Sequence, residues 1–235
     1  MTIPTRPARL AGLSYLGLAV SGMLAYLVIR QQLYVPDDAV ATTANLVEQT
    51  TLARLGIAMD LTVVLTQALA AVWFFMLFRG VSSFAAGAIA AFGLVNAVLI
   101  LVATAFTATA LDVALSDGSR GVDGPAATQL LYELSGTTWD LGGLFFGLWL
   151  IPMGWCAMRS GFVPRALGRV LVAGGIGYVL GTYVAHAPGL SGASFALTVP
   201  AAVGEMWMVG YLLWKGLRRA TPVPADRAVR VPTHG

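Results

Sequence analysis

Six long apolar runs, parted by short polar breaks, set the plan of this chain. They fall near residues 10–29, 52–78, 84–111, 139–158, 167–187 and 195–215, and each reaches or exceeds the roughly 20 residues an α-helix needs to cross a bilayer core. The pattern predicts an all-α polytopic membrane protein: one bundle of six transmembrane helices over residues 1–219. A flexible tail follows over 220–235, where Pro222, Pro224 and Pro232 accompany too few apolar residues to fold alone. The first run, behind Arg6 and Arg9, resembles a signal peptide, and Ala39-Val40-Ala41 has the small-x-small form of a cleavage site. Its length is that of a span, and the small residues lie well beyond it, so it is read as the first membrane helix.

The breaks carry their own signals. In the first, Pro36-Asp37-Asp38 is a helix start, and Val40, Ala44 and Val47 recur at helical spacing, which predicts a short helix on the membrane surface. The longest break, 112–137, is expected to be a loop with turn material from Asp117 to Pro125; its acid spacing does not fit a calcium loop. Pro188-Gly189 is expected to turn the chain between the last two spans. Small residues mark helix-packing faces at Gly17, Ser21 and Ala25, at Gly143 and Gly147, and at Gly177 and Gly181.

Composition agrees. With 57% hydrophobic residues, 11% charged and a mean hydropathy of +0.78, the chain is too apolar for a soluble core of this size. The net charge of +3 does not point to nucleic acid, because the basic residues sit between apolar runs. They report topology instead. Arg6, Arg9, Arg79, Arg159, Arg165, Arg169, Lys215, Arg218, Arg219, Arg227 and Arg230 share one side of the predicted bundle, against Arg30, Arg54 and Arg120 on the other. That bias places both termini in the cytoplasm. The one cysteine, Cys156, allows no intramolecular disulfide.

Three acids fall inside the runs: Asp60, Asp140 and Glu205. A charged acid at mid-membrane costs roughly 2.5–3.5 kcal/mol on insertion scales, so these should face the bundle and be paired or protonated. Arg54 is the nearest partner for Asp60 along the chain, and Gln67 lies two turns on along the same face. Tyr178, Thr182 and His186 form a stripe at i, i+4, i+8, and Asn96 and Thr104 share a face of the third span. The expectation is one outward-opening polar cavity lined by Asp60, Asp140, His186 and Glu205. The alternative, buried polar contacts that only hold helices together, stays open. A retinal protein needs a lysine in mid-span, whereas Lys215 lies at a boundary; His186 and His234 are too few for haem or zinc. Gly189-Leu190-Ser191-Gly192 spells a rhomboid-like motif, but in a turn. No catalytic residue, metal or cofactor is assigned.

Several segments resemble one bacterial family, catalogued as domain of unknown function 4386. The more specific are Arg159-Ser160-Gly161-Phe162-Val163-Pro164-Arg165-Ala166-Leu167-Gly168, and Pro200-Ala201-Ala202-Val203-Gly204-Glu205 with Leu212-Leu213-Trp214-Lys215-Gly216. Arg9-Leu10-Ala11-Gly12, Val35-Pro36-Asp37-Asp38 and Arg54 to Asp60 are similar to its weaker motifs. The resemblance covers Arg9 to Arg219 and implies a multi-pass protein of the bacterial inner membrane, with no established activity to carry over. Function is therefore expected among three classes: binding or transport of a small polar or cationic solute or of protons; an accessory subunit that docks on a partner or a second copy through its glycine faces; and, lowest, a membrane-embedded enzyme.

Overall fold

The computed structural model describes residues 4–116, 123–187 and 194–217. The expected turns around 117–122 and 188–189, the serine motif at 189–192 and the tail at 220–235 lie outside them. Six helices long and apolar enough to cross a membrane are present. The first span, Thr5–Leu33, is α-helical to Gly22, π-helical over Met23–Ile29 and α-helical again over Arg30–Leu33. The others are Thr50–Phe78, Ser83–Ala114, Gly124–Ser160, Arg165–Ala185 and Ser194–Leu217.

Local chemistry fixes the ends. The Asp38 carboxylate accepts from Ala41 N–H at 2.9 Å and starts the short helix Ala39–Glu48. Ser82 does the same for the third span, accepting from Ala85 N–H at 3.3 Å. Asp123 caps the fourth, accepting from Ala126 N–H at 3.3 Å, with Pro125 in the first turn, where a missing N–H costs nothing. The fourth span stops at Gly161, whose φ of 71° lies in the left-handed region that favours glycine. Ser160 Oγ then takes the N–H groups of Phe162 and Val163, at 3.3 and 3.2 Å.

Two differences from the sequence reading follow from these caps. The fourth helix begins at Gly124, inside the expected loop, and its 37 residues make a rod of about 55 Å. A bilayer core is about 30 Å thick, so the first turns of this rod stand above the membrane. The first helix runs past Ile29 to Leu33, which brings Arg30 into the helix instead of a loop.

The spans form a closed ring in chain order, each beside its sequence neighbours, and the first also packs on the sixth. The face that carries Arg79, Arg159 and Arg165 is called inner below. The ring is filled by aromatic side chains: Tyr15, Phe74 and Trp149, from the first, second and fourth spans, meet edge to face with centroids 5.3–5.8 Å apart. Phe146 joins Trp149 to Tyr178 of the fifth span. The outer surface of the ring exposes Leu13, Val20, Leu27, Leu65, Val98, Leu180 and Val203 among others, an apolar belt that requires lipid.

A second apolar cluster caps the outer end. Leu46 of the short helix packs with Ile29, Leu33, Ala53, Ala110, Leu111 and Tyr132. The short helix lies where its spacing predicts, but Thr42 and Leu46 are its buried face; Val40 and Val47 point away from the protein. The glycine faces are used within the chain. A Cβ on Gly147 would stand 2.6 Å from the Gly175 carbonyl oxygen, and one on Gly154 2.5 Å from that of Gly168, so the fourth and fifth helices touch backbone to backbone. Gly177 meets the Leu197 carbonyl of the sixth span in the same way.

Candidate functional site: an outer cleft and a buried acid

A polar cleft opens in the outer half of the ring, lined by the first four spans. Ala25, Tyr26 and Arg30 come from the first; Ala53, Gly56 and Asp60 from the second; Thr107 from the third; Tyr132, Ser135 and Trp139 from the fourth. The clear space within it is about 30 Å³, room for about two waters.

Arg30 is its most elaborately held group. One guanidinium nitrogen donates to the Tyr132 carbonyl at 2.7 Å and the other to Ser135 Oγ at 3.4 Å. The rings of Tyr132, Tyr34 and Tyr26 surround its carbon at 5.2, 5.3 and 5.9 Å. Tyr34 stacks on Tyr132, Tyr26 stacks on Trp139, and Thr107 and Ser135 share a hydroxyl hydrogen bond of 2.9 Å. Gly136 lies close beside it: a Cβ there would fall 2.9 Å from the guanidinium, which would have to shift. Tyr34, just past the helix end, has its phenol raised above the ordinary value, first by burial and then by the charge of Glu133. It faces Arg30 as a neutral ring.

Asp60 lines the same cleft, and Arg30 is the cation whose charge reaches it. Among the described residues no hydrogen bond or ion pair ties the carboxylate down. Both charges therefore face the cleft at a distance, with water-sized space in reach. The partner is Arg30, not Arg54, which is exposed on the second helix.

Asp140 and His186 lie on this outer side as well. Asp140 is exposed, accepts from the Tyr26 hydroxyl at 3.4 Å, and is within electrostatic reach of Arg30 and His186. His186 ends the fifth span with Nδ1 3.0 Å from the Thr182 carbonyl, and Thr182 turns its own hydroxyl to the Tyr178 carbonyl at 3.0 Å.

Glu205 is elsewhere. It is not among the residues of the cleft; its Oε1 is buried without a partner, and its charge reaches the phenols of Tyr15 and Tyr178. The Tyr15 hydroxyl, Trp149 Nε1 and Gln67 Oε1 are also buried and unpartnered, although Gln67 Nε2 donates to the Gly93 carbonyl at 3.4 Å. Asn96 Nδ2 donates to the Gly142 carbonyl at 2.9 Å and fastens the third span to the fourth. Thus the four residues part: Asp60 lines the cleft, Asp140 lies one residue further along the fourth helix than the lining Trp139, His186 ends the fifth span, and Glu205 lies beside the aromatic filling. Among the described residues no group of three His, Cys, Asp or Glu side chains is placed to hold a metal.

The sequence reading missed Arg30, Tyr26, Tyr132 and Ser135. A signal was present: Tyr26, Arg30 and Tyr34 recur every four residues, the spacing of one helical face.

Six apolar helices closed into a ring with a lipid-facing belt define a multi-pass membrane protein. Residues 10–216 match the family described as domain of unknown function (DUF4386), and the chain belongs to that family. No curated protein and no solved structure matches it.

Proposed function

We propose that this protein takes up a small polar or cationic solute, or protons, in the outer cleft, with Asp60 as the binding carboxylate and Arg30 as its fixed counter-charge. One observation carries the reading: two opposite charges line the same cleft without closing on each other. An intramembrane acid with a cation nearby is a common device for holding and releasing charge. Since the cleft admits little more than two waters as it stands, a proton or a small ion suits it better than a larger solute. The π-helical stretch of the first span supports the reading, because such stretches are rare and concentrate at functional positions, and this one supplies Tyr26 and leads into Arg30. In this reading the cleft faces away from the cytoplasm of a bacterial inner membrane.

The accessory-subunit alternative loses its main support, because the glycine faces it would dock with are occupied within the chain. The test is native mass spectrometry of protein gently extracted from its own membrane, combined with proton counting on the purified protein in nanodiscs. A bound small molecule or ion, or a titrating proton, that is lost in Asp60→Asn and kept in Arg54→Gln is expected. A co-purifying polypeptide at fixed stoichiometry, with Asp60→Asn silent in both measurements, would overturn the proposal.

A further inference from the structure

The inner face carries a second polar feature that the outer cleft does not involve. Where the fourth helix turns into the fifth, Met158, Arg159, Gly161, Val163 and Arg165 line an open hollow of about 540 Å³. Its shape is built, not incidental. Gly161 makes the left-handed turn, Ser160 Oγ holds the two following N–H groups, and the Tyr211 hydroxyl of the sixth span donates to the Phe162 carbonyl. The Arg159 guanidinium lies 4.7 Å over the ring of Trp155, which itself packs against the core, so the cation rests on a held aromatic face. Among the described residues neither Arg159 nor Arg165 has a carboxylate partner. Both are exposed.

We infer that this hollow is a binding site for the headgroup phosphate of an anionic phospholipid, gripped by Arg159 and Arg165. Two unpaired guanidinium groups offer planar donor forks that fit phosphate oxygens, and a guanidinium held over a ring loses less freedom on binding than a free one. A lipid suits the place better than a soluble anion. The hollow is bounded by Met158 and Val163 as well as by charge, and the exposed Arg169 lies one helical turn on from Arg165, along the helix whose Ile176 and Leu180 face lipid.

The experiment is native mass spectrometry of the full chain released from nanodiscs that contain equal phosphatidylglycerol and phosphatidylcholine. The wild-type chain is expected to retain phosphatidylglycerol preferentially. Arg159→Gln with Arg165→Gln removes both donor forks, and since a hydrogen bond to a charged group is worth about tenfold or more, the preference should fall at least tenfold further than in a variant that loses only surface charge. Arg159→Lys keeps the charge but loses the fork and should give an intermediate loss. The control Arg6→Gln with Arg9→Gln removes the same charge from the same face away from the hollow, and should leave most of the preference intact. Retention that survives the Arg159/Arg165 variant, or that falls equally in the control, would overturn the site. Calorimetric binding of inorganic phosphate to lipid-free protein at these arginines, with the lipid preference unchanged by the variant, would reassign it to a soluble anion. None of these readouts depends on Asp60, so this proposal and the outer-cleft reading fail separately.

Discussion

Asp60 and Glu205 are both acids within membrane-spanning helices, and their surroundings differ in kind. Asp60 faces a cleft that water can enter, opposite an arginine held by three rings and two hydrogen bonds. Glu205 faces the closed aromatic filling, where the side chains in electrostatic reach are the phenols Tyr15 and Tyr178. The outer acid thus has a fixed counter-charge and an opening, which together allow an occupant to come and go. The inner acid has neither among the described residues. Depth alone would have ranked them the other way, since Glu205 is the more deeply placed of the two. What makes an intramembrane carboxylate a plausible working group is the pairing and access around it.

That contrast is sharpened most by removing Arg30. Arg30→Ala deletes the cation, opens space among Tyr26, Tyr34 and Tyr132, and leaves Asp60 without its counter-charge. The substitution also removes the hydrogen bonds to the Tyr132 carbonyl and Ser135 Oγ, and losing hydrogen bonds from a charged donor costs about 1.5–3 kcal/mol. Thermal unfolding in nanodiscs would read it. Adding Asp60→Ala should recover part of the loss, because the uncompensated acid goes too, giving a coupling of about 0.5–1 kcal/mol in a double-mutant cycle, as suits charges that act across a cleft. Strict additivity would show that the two charges do not sense each other, and the distinction between the acids would collapse.

Next in size is the backbone contact of the fourth and fifth helices, which sets Tyr178 beside Glu205. Gly147→Val would force a branched side chain into the Gly175 carbonyl and the Tyr178 side chain. Overpacking of this kind costs about 1–3 kcal/mol, and parting the fourth and fifth helices would also shift Tyr178 away from Glu205. The same substitution at Gly87, where a Cβ meets nothing within 4 Å, should be close to neutral. Equal losses at the two positions would mean that the backbone contact is not what sets the spacing.

How far these features can be read in the chain itself follows from which physical signal each one leaves. The six spans are legible because lipid imposes a length and a composition on every crossing. The short helix is legible at its Asp38 cap, yet its spacing misleads about burial: Val40 and Val47 repeat at helical period but are exposed, while Thr42 and Leu46 face the protein. The extension over Gly124 to Thr138 is lost to a hydropathy reading, since a helix above the membrane needs no apolar run, although Asp123 and Pro125 mark its start. Arg30 is lost for a related reason. A charge one residue beyond an apolar run counts as a loop residue by hydropathy, and only the Tyr26, Arg30, Tyr34 spacing shows that the helix continues. Glu205 is legible as an intramembrane acid but not as a neighbour of Tyr15, because ring closure between the first and last spans leaves no mark in local sequence.

The smallest expected effect tests the other half of the comparison. Glu205→Gln keeps the side chain's shape and removes its capacity for charge. With no cation beside it among the described residues, Glu205 has no ion pair to lose, and the Tyr15 phenol, its neighbouring hydrogen-bond group, can face an amide oxygen as well as a carboxyl one. The amide should therefore change stability by less than about 1 kcal/mol, as volume-conserving exchanges do in packed interiors. Asp60→Asn, which strands Arg30, should cost more in the same nanodisc unfolding measurement. It should also abolish the cleft's occupant while Glu205→Gln leaves it bound. Reversed order, with Glu205→Gln the more damaging and Asp60→Asn silent, would move the working carboxylate from the open cleft to the centre of the ring. Glu205 would then have to gain access through a state in which the Tyr15, Phe74 and Trp149 contacts part.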